Sequence, residues 1–393
     1  MRDNPVVAAL GRPFRLGVAG GAPPSMIGPV HRVAAAMDGR FVLVAAALSS
    51  NPGRSQREGC AIGLPAERCY GSVEEMVAGE GERADGIEAL AIITPNDSHA
   101  RYLRLAMSAG LDAMVEKPLC ADFEEALELR RAVLAAQRDV VLTHTYSGYP
   151  MIREMRSRLA AGEIGALRFV EAEYYAGGLA TAVEHEPGAA QRWRLKPERS
   201  GPSLVLGDIG THAHHLVRFV TGASVTTVSA EVATLLPGRQ VHDFASVRFR
   251  LDNDVRGRLD VCNAAAGMSN HIMLRLHGEK GYLEWTHRHH GELTIASLDG
   301  HRHIIEKSHP NTSDDASRAT RLLRPGHPEG LQEAIANLYA GLADRMLARR
   351  GYADSGLGAL VPDIDEGCAG VAFVETCLES SRRGGMITAM PAL

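Results

Sequence analysis

Long apolar runs are missing from this chain. No stretch approaches the roughly 20 residues that a membrane-spanning helix needs, and Met1 to Pro13 hold none that would serve as a secretory leader, so neither is expected. An excess of one charge is missing too. Forty-two Lys and Arg face 47 Asp and Glu, a net −5, which argues against nucleic acid or a membrane surface as a partner. Cysteine is sparse: Cys60, Cys69, Cys120, Cys262, Cys368 and Cys377 show no C-x-x-C spacing. They read as reduced thiols of a cytoplasmic protein, not a disulfide framework. Internal repeats and low-complexity tracts are absent as well. What remains is a 393-residue chain, 45% apolar, too long for one ordinary core.

The first part alternates apolar runs with helical patterns, which predicts βαβ units and a parallel sheet. Strands are expected at Leu16–Ala19, Phe41–Ala47, Ile87–Ile93, Asp112–Glu116 and Val140–Thr143. Helices are expected near Gly28–Met37 and from the capping box Asp122-Phe123-Glu124-Glu125 to Ala136, with short helices within 51–86. After Tyr149-Pro150 the character changes. A helix near Met151–Ala161 precedes the alternating run Leu167–Tyr175, and later strands follow at Val225–Thr234, Phe244–Arg250, Arg256–Val261, His271–His277, Gly281–Trp285 and Glu292–Ile295. Short turns such as Leu251-Asp252-Asn253-Asp254 favour antiparallel pairing. Pro310–Pro328 reads as a long loop, and two helices close the chain, near Gly330–Arg349 and Asp363–Ser381. The expected class is therefore α/β: a Rossmann dinucleotide-binding domain over 1–146, then an α+β domain over 147–393 with a large, mostly antiparallel open sheet.

Several motifs sit where chemistry is done in such folds. The turn Gly17-Val18-Ala19-Gly20-Gly21-Ala22-Pro23-Pro24-Ser25 joins a strand to a helix, where glycines let the backbone approach a pyrophosphate. G-x-G-x-x-G does not fit it; Gly28 can replace the third glycine after a longer loop. Gly20, Gly21, Ala22, Ser25 and Ile27 are the cofactor candidates here. The second strand ends in Leu48-Ser49-Ser50-Asn51 without a carboxylate, and Arg54 follows. Ser49 and Ser50 can face a ribose. Arg54 either pairs with a 2′-phosphate or opens a solvated helix, so NAD and NADP are both open. Thr94-Pro95-Asn96 ends another strand, with His99 behind it. Val115-Glu116-Lys117-Pro118-Leu119 places a lysine at the carboxyl edge of the sheet, where ligands of open α/β sheets bind. Downstream, Asp208 and His212 stand four residues apart and share one face of a helix. His214 and His215 continue that helix, but no further ligand suits zinc, and no metal site is expected. The run Thr286-His287-Arg288-His289-His290, with His301 and His303, reads as a polar turn with exposed histidines.

Thr94-Pro95-Asn96, Glu116-Lys117-Pro118 and Asp208-Ile209-Gly210-Thr211-His212, in that order, resemble the Gfo/Idh/MocA family of nicotinamide-dependent oxidoreductases. The resemblance covers almost the whole chain. It implies that Thr94, Pro95, Asn96, His99, Glu116, Lys117 and Pro118 line the dinucleotide. It also implies that Lys117 reaches the nicotinamide and substrate region and that His212 sits against a substrate hydroxyl. Lys117, Asp208 and His212 are then the catalytic candidates, His212 as general base and Asp208 as orienting group or substrate contact. His144 and Tyr146 follow the last Rossmann strand. Family members carry an asparagine–aromatic pair there, so His144 is a departure. In Gln191-Arg192-Trp193-Arg194, Trp193 can stack on a sugar ring or anchor the core, and Arg194 can donate hydrogen bonds. The implied activity is reversible oxidation of a secondary hydroxyl of a sugar, glycoside or polyol/inositol, using NAD or NADP, by a homodimer or homotetramer. Two other classes stay open: an NAD-dependent, redox-neutral glycosidase, and a non-catalytic dinucleotide-binding regulator.

Overall fold

Five runs of small and branched apolar residues pair side by side as parallel strands: β1 (Phe14–Gly20), β2 (Phe41–Ala47), β3 (Ala89–Ile93), β4 (Asp112–Val115) and β5 (Val140–Leu142), in the order β2-β1-β3-β4-β5. The computed structural model describes residues 4–185 and 192–393; Gln191 lies outside them. All five strands are buried along most of their length, as continuous apolar runs require when both faces are covered. The chain leaves β1 towards β2 on one side and β3 on the other. The switch point of the sheet therefore lies at the carboxyl ends of β1 and β3.

The first unit is larger than residues 1–146. It comprises residues 4–120, Glu124–Thr143 and also Leu331–Cys368. Besides the stretch before the expected break at 146/147, this unit takes in the later helix Leu331–Ala348, which packs on the helix Ile27–Met37. Its Tyr339 meets Phe41 and His31 edge-on, with ring centroids 5.7 and 5.8 Å away. Phe14, Leu16, Met114 and Val141 share that core.

The second unit, Ala121–Phe123, His144–Gly330 and Ala369–Leu393, is built on nine strands. They are β6 (Leu167–Tyr175), β7 (Val225–Ala233), β8 (Phe244–Leu251), β9 (Arg256–Cys262), β10 (His271–Gly278), β11 (Gly281–Thr286), β12 (Glu292–Ser297), β13 (Arg302–Glu306) and β14 (Thr388–Ala389). The order is β13-β12-β11-β10-β6-β9-β8-β7-β14, antiparallel throughout except β6 beside β9. Along β6 the buried residues Val170, Ala172 and Tyr174 alternate with Glu171 and Glu173, whose carboxylates meet Arg258 and Arg275 on the outer face. Among the described residues no helix is long and apolar enough to cross a membrane.

Two readings are corrected here. Pro310–Pro328 is not all loop: Asp314–Ala319 is a helical turn, capped by Ser313, whose Oγ accepts from the Ala316 amide at 3.3 Å. The edge strand β13 was not expected, because its residues are mostly exposed and lack the apolar alternation that marks a half-buried strand.

Candidate active site

In the first unit, the loop after β1 is shaped by close backbone approach. Gly20 and Gly21 take φ of +83° and +80°. A Cβ on Gly20 would stand 2.6 Å from the Ile93 carbonyl oxygen, and one on Gly28 would collide with the Gly21 carbonyl. The bare Gly28 thus lets the helix start press against the turn. Ser25 caps that helix, its Oγ accepting from the Gly28 amide at 3.2 Å. Arg32 returns from the helix to donate to the Gly21 carbonyl at 3.2 Å. Ala22 and Ile27 are partly buried along the same loop. Backbone cradle and helix amino terminus together fit a dinucleotide pyrophosphate.

At the end of β2, Ser49 is half-buried and Ser50 exposed, while Asn51 caps the next helix by accepting from the Arg54 amide at 2.9 Å. Arg54 donates to the Pro23 carbonyl and so ties this helix to the glycine loop. Thr94, Pro95 and Asn96, at the end of β3, are partly exposed.

His99 is placed otherwise than as a ligand contact. Its ring is wholly buried, with Nδ1 2.8 Å from the Pro118 carbonyl and Nε2 2.8 Å from the Thr94 carbonyl. Burial lowers its pKa against the pull of those carbonyls. It braces the Thr94 turn and the Pro118 turn against each other.

Glu116 opens a relay that sequence reasoning missed. Its Oε1 accepts from His31 Nε2 at 3.0 Å, and His31 Nδ1 lies 2.9 Å from the Tyr339 hydroxyl. One tautomer satisfies all three groups: Nε2–H donates to the carboxylate and Nδ1 accepts from the phenol. Burial pushes the Glu116 carboxyl up, but His31, Lys117 and Thr143 together hold it below its ordinary range. Lys117 follows, partly exposed, and Pro118 is buried behind it.

In the second unit, four substrate candidates converge. A π-helical turn, Leu206–Gly210, carries Asp208 and runs into the α-helix Thr211–Thr221 that carries His212. Such widened turns are frequent at functional sites. The His212 ring is walled by three others: Tyr146 at 5.1 Å, His144 at 5.5 Å and Tyr174 at 6.3 Å between centroids. His215 stacks on His144 at 4.5 Å, a packing role. Asp208 accepts from Arg194 at 3.2 Å, and the Arg194 guanidinium lies 5.5 Å from the Trp193 ring centroid. Arg194 thus holds Asp208, with Trp193 beside it.

Tyr174, Asn270 and His287 belong to this wall, and sequence reasoning did not single them out as site residues. The hydroxyls of Tyr146 and Tyr174 are 2.6 Å apart; Tyr174 donates to Asn270 Oδ1 at 2.7 Å, and Asn270 Nδ2 donates to the Tyr146 hydroxyl at 3.1 Å. Burial pushes both phenols up, Tyr174 to about 12 and Tyr146 well above its ordinary range, so both remain hydrogen-bond donors. His287, expected in an exposed turn, instead lies 5.5 Å from the Tyr146 ring and takes the Tyr149 hydroxyl at 3.2 Å on Nε2. Burial lowers its pKa. His289, His301 and His303 are exposed as expected.

Comparison with known proteins agrees with both halves. Residues 14–146 match the oxidoreductase family with an NAD-binding Rossmann fold, and residues 152–284 match the GFO/IDH/MocA C-terminal domain. An uncharacterized oxidoreductase of Bacillus subtilis, YfiI, is 32% identical over 96% of this chain and 97% of its own length. An inositol dehydrogenase homolog of Azotobacter vinelandii, solved with NAD+, is 34% identical over 96% of this chain and 97% of its own, at a TM-score of 0.91. It has also been solved with NADH and myo-inositol. An NADP-dependent D-xylose 1-dehydrogenase of Haloarcula marismortui is 28% identical over 40% of this chain and 42% of its own. With the glycine cradle and the Glu116-Lys117-Pro118 junction in place, the conclusion is direct: this chain belongs to the Gfo/Idh/MocA family of NAD(P)-dependent oxidoreductases.

Proposed function

We propose that the protein is a dehydrogenase that reversibly oxidises a secondary hydroxyl of a sugar, glycoside or polyol such as an inositol. The observation that carries this reading is the His212 imidazole, enclosed by Tyr146, Tyr174 and His144 and four positions from an aspartate held by Arg194. Several fixed donors and acceptors around one potential base suit a substrate made of hydroxyls. The Azotobacter relative bound to myo-inositol adds weight.

The dinucleotide supplies a ring that accepts or returns hydride. The glycine cradle, Ser49, Ser50 and the Thr94–Asn96 turn hold it. The glycine-loop neighbour Arg54 is the candidate partner for a 2′-phosphate, so the choice between NAD and NADP stays open. His212 or Lys117 takes the hydroxyl proton. Asp208 orients the imidazole or contacts the substrate directly. His144 and the Tyr146–Tyr174–Asn270 triangle read the remaining hydroxyls.

The test is nicotinamide reduction by wild type and by Lys117→Ala, with NAD and NADP separately, over a panel of sugars, glycosides and inositols. Turnover should fall by about 10²-fold or more in the variant. Wild-type turnover in Lys117→Ala would remove the lysine from the chemistry. A wild type that reduces neither cofactor with any member of the panel would overturn the dehydrogenase reading.

A further inference from the structure

At the amino-terminal edge of the Rossmann sheet, the edge remote from the glycine loop, lies a cleft of about 290 Å³ that the proposed chemistry does not use. It is lined by Arg15, Arg83, Arg138 and Arg350 together with Glu80, Glu88 and Asp112. In a chain of net charge −5, four guanidinium groups around one concavity call for a reason.

The three carboxylates are already satisfied within the protein. Glu80 accepts from Arg68 on both oxygens and from the Tyr70 hydroxyl at 2.8 Å. Glu88 accepts from Arg12 on both oxygens, from the Arg15 amide at 3.0 Å and from Arg350 at 3.1 Å. Asp112 accepts from Arg349 on both oxygens and from the Asp139 amide at 2.9 Å. Three of the four arginines likewise have acceptors: Arg15 the Gly86 carbonyl at 2.6 Å, Arg83 the Asp85 carboxylate at 2.9 Å, and Arg350 the Glu88 carboxylate.

Arg138 differs. Its Nε is shielded from solvent without an acceptor, and none of the ion pairs of the described residues includes it. The guanidinium lies beside Gly110, whose φ is +67° and where a Cβ would meet Nη2 at an ordinary 3.4 Å; its charge also acts on the Asp112 carboxylate, without a hydrogen bond to it. Arg138 and Gly110 both line the cleft. A half-buried guanidinium held in place without an acceptor loses hydrogen bonds that a bound anion would restore.

We propose that this cleft is a second ligand site, one that takes a phosphoryl dianion with Arg138 as its anchor. A tetrahedral dianion matches the planar fork of arginine, which favours bidentate contact, better than a halide does. The volume is at the lower end for small-molecule sites and admits inorganic phosphate or the head of a phosphate ester. The proposal is independent of the hydride-transfer reading.

Calorimetric titration of inorganic phosphate and, separately, of glycerol 2-phosphate tests it at constant ionic strength. The protein is first saturated with the dinucleotide it binds more tightly, so that the pyrophosphate cradle is filled. Saturable binding of either probe is expected, and the tighter one assigns the source as free anion or ester. Arg138→Gln should weaken it about tenfold or more with dinucleotide affinity unchanged, one lost charge-assisted bidentate contact being worth at least that. Should that variant not fold, Arg83→Gln, at a more exposed lining position, should weaken it about two- to fivefold. No binding of either probe to the saturated wild type, or phosphate binding as in wild type in a folded Arg138→Gln, would overturn the assignment.

Discussion

Gly28→Ala puts the glycine-loop argument at risk most directly. The added methyl would collide with the Gly21 carbonyl and stand 2.6 Å from the Gly21 Cα. Carbon atoms in contact settle at about 3.5–4.0 Å, so the helix start and the loop must part by about 1 Å. Overpacking of this kind costs about 1–3 kcal/mol, and here it falls on the turn whose amides would meet the pyrophosphate. If the loop takes up the displacement, the dissociation constant for NADH should rise about 10- to 100-fold, with every 1.4 kcal/mol worth about tenfold. Fluorescence titration with NADH reads this directly. Gly81→Ala is the control: nothing lies within 4 Å of its Cβ, it sits in a helix, and NADH affinity should not move. A Gly28→Ala protein that binds NADH as tightly as Gly81→Ala would refute the close-approach role.

Three further outcomes follow from the two site halves. His31→Asn removes the donor that holds Glu116 ionised, and should destabilise the protein by about 1.5–3 kcal/mol at pH 7 by urea unfolding. Because the folded Glu116 pKa is depressed, its contribution is fully present above its ordinary value of 4.5 and disappears as pH falls through the lower folded value. The gap to wild type should therefore narrow at about pH 4, and a gap independent of pH would remove Glu116 from the account. Tyr174→Phe leaves the Tyr146 hydroxyl with Asn270 alone; KM for the preferred substrate should rise about 5- to 10-fold with kcat less affected, and an unchanged KM would exclude the triangle from substrate recognition. Arg194→Met frees Asp208 from its ion pair and should lower kcat/KM about tenfold, a charged hydrogen bond of roughly 1.5–3 kcal/mol being lost; unaltered kinetics would mean that Asp208 needs no such support.

What could be read from the sequence was local. The five Rossmann strands, the capped helix after Asp122 and the alternating run Leu167–Tyr175 announce themselves within a few residues, because period and capping chemistry are short-range. So does Glu116-Lys117-Pro118. The relay behind it did not: His31 reaches Tyr339 across 308 positions, and neither residue carries a local mark of the other. The return of Leu331–Ala348 to the first unit was hidden for a related reason. Thirteen of its 18 residues are buried, so no single apolar stripe points to one partner. His287 was misread because a run of histidines with Arg288 looks solvated, while His287 turns towards Tyr146 and Tyr149, His290 also packs on Tyr149, and of these histidines only His289 is exposed.

His99 and His212 make the same point about function. Each lies in a motif that the family resemblance places at the site, and each is at least nine-tenths buried. Their surroundings differ in kind. Both His99 nitrogens face backbone carbonyls, so its ring is consumed in joining the Thr94 turn to the Pro118 turn. His212 is bounded instead by aromatic side chains and lies on the same helical face as Asp208, a carboxylate whose charge adds to burial in raising the pKa of Tyr146 and Tyr174. A brace is defined by main-chain partners that no ligand can displace, a base by side-chain neighbours that leave room for a hydroxyl. Substituting each by glutamine separates the two: His99→Gln should lower stability and dinucleotide affinity together, whereas His212→Gln should lower turnover by about 10²-fold with dinucleotide affinity retained. If His212→Gln instead weakened dinucleotide binding and left turnover of the saturated enzyme intact, the imidazole would be a second brace, and the proton would have to leave through Lys117.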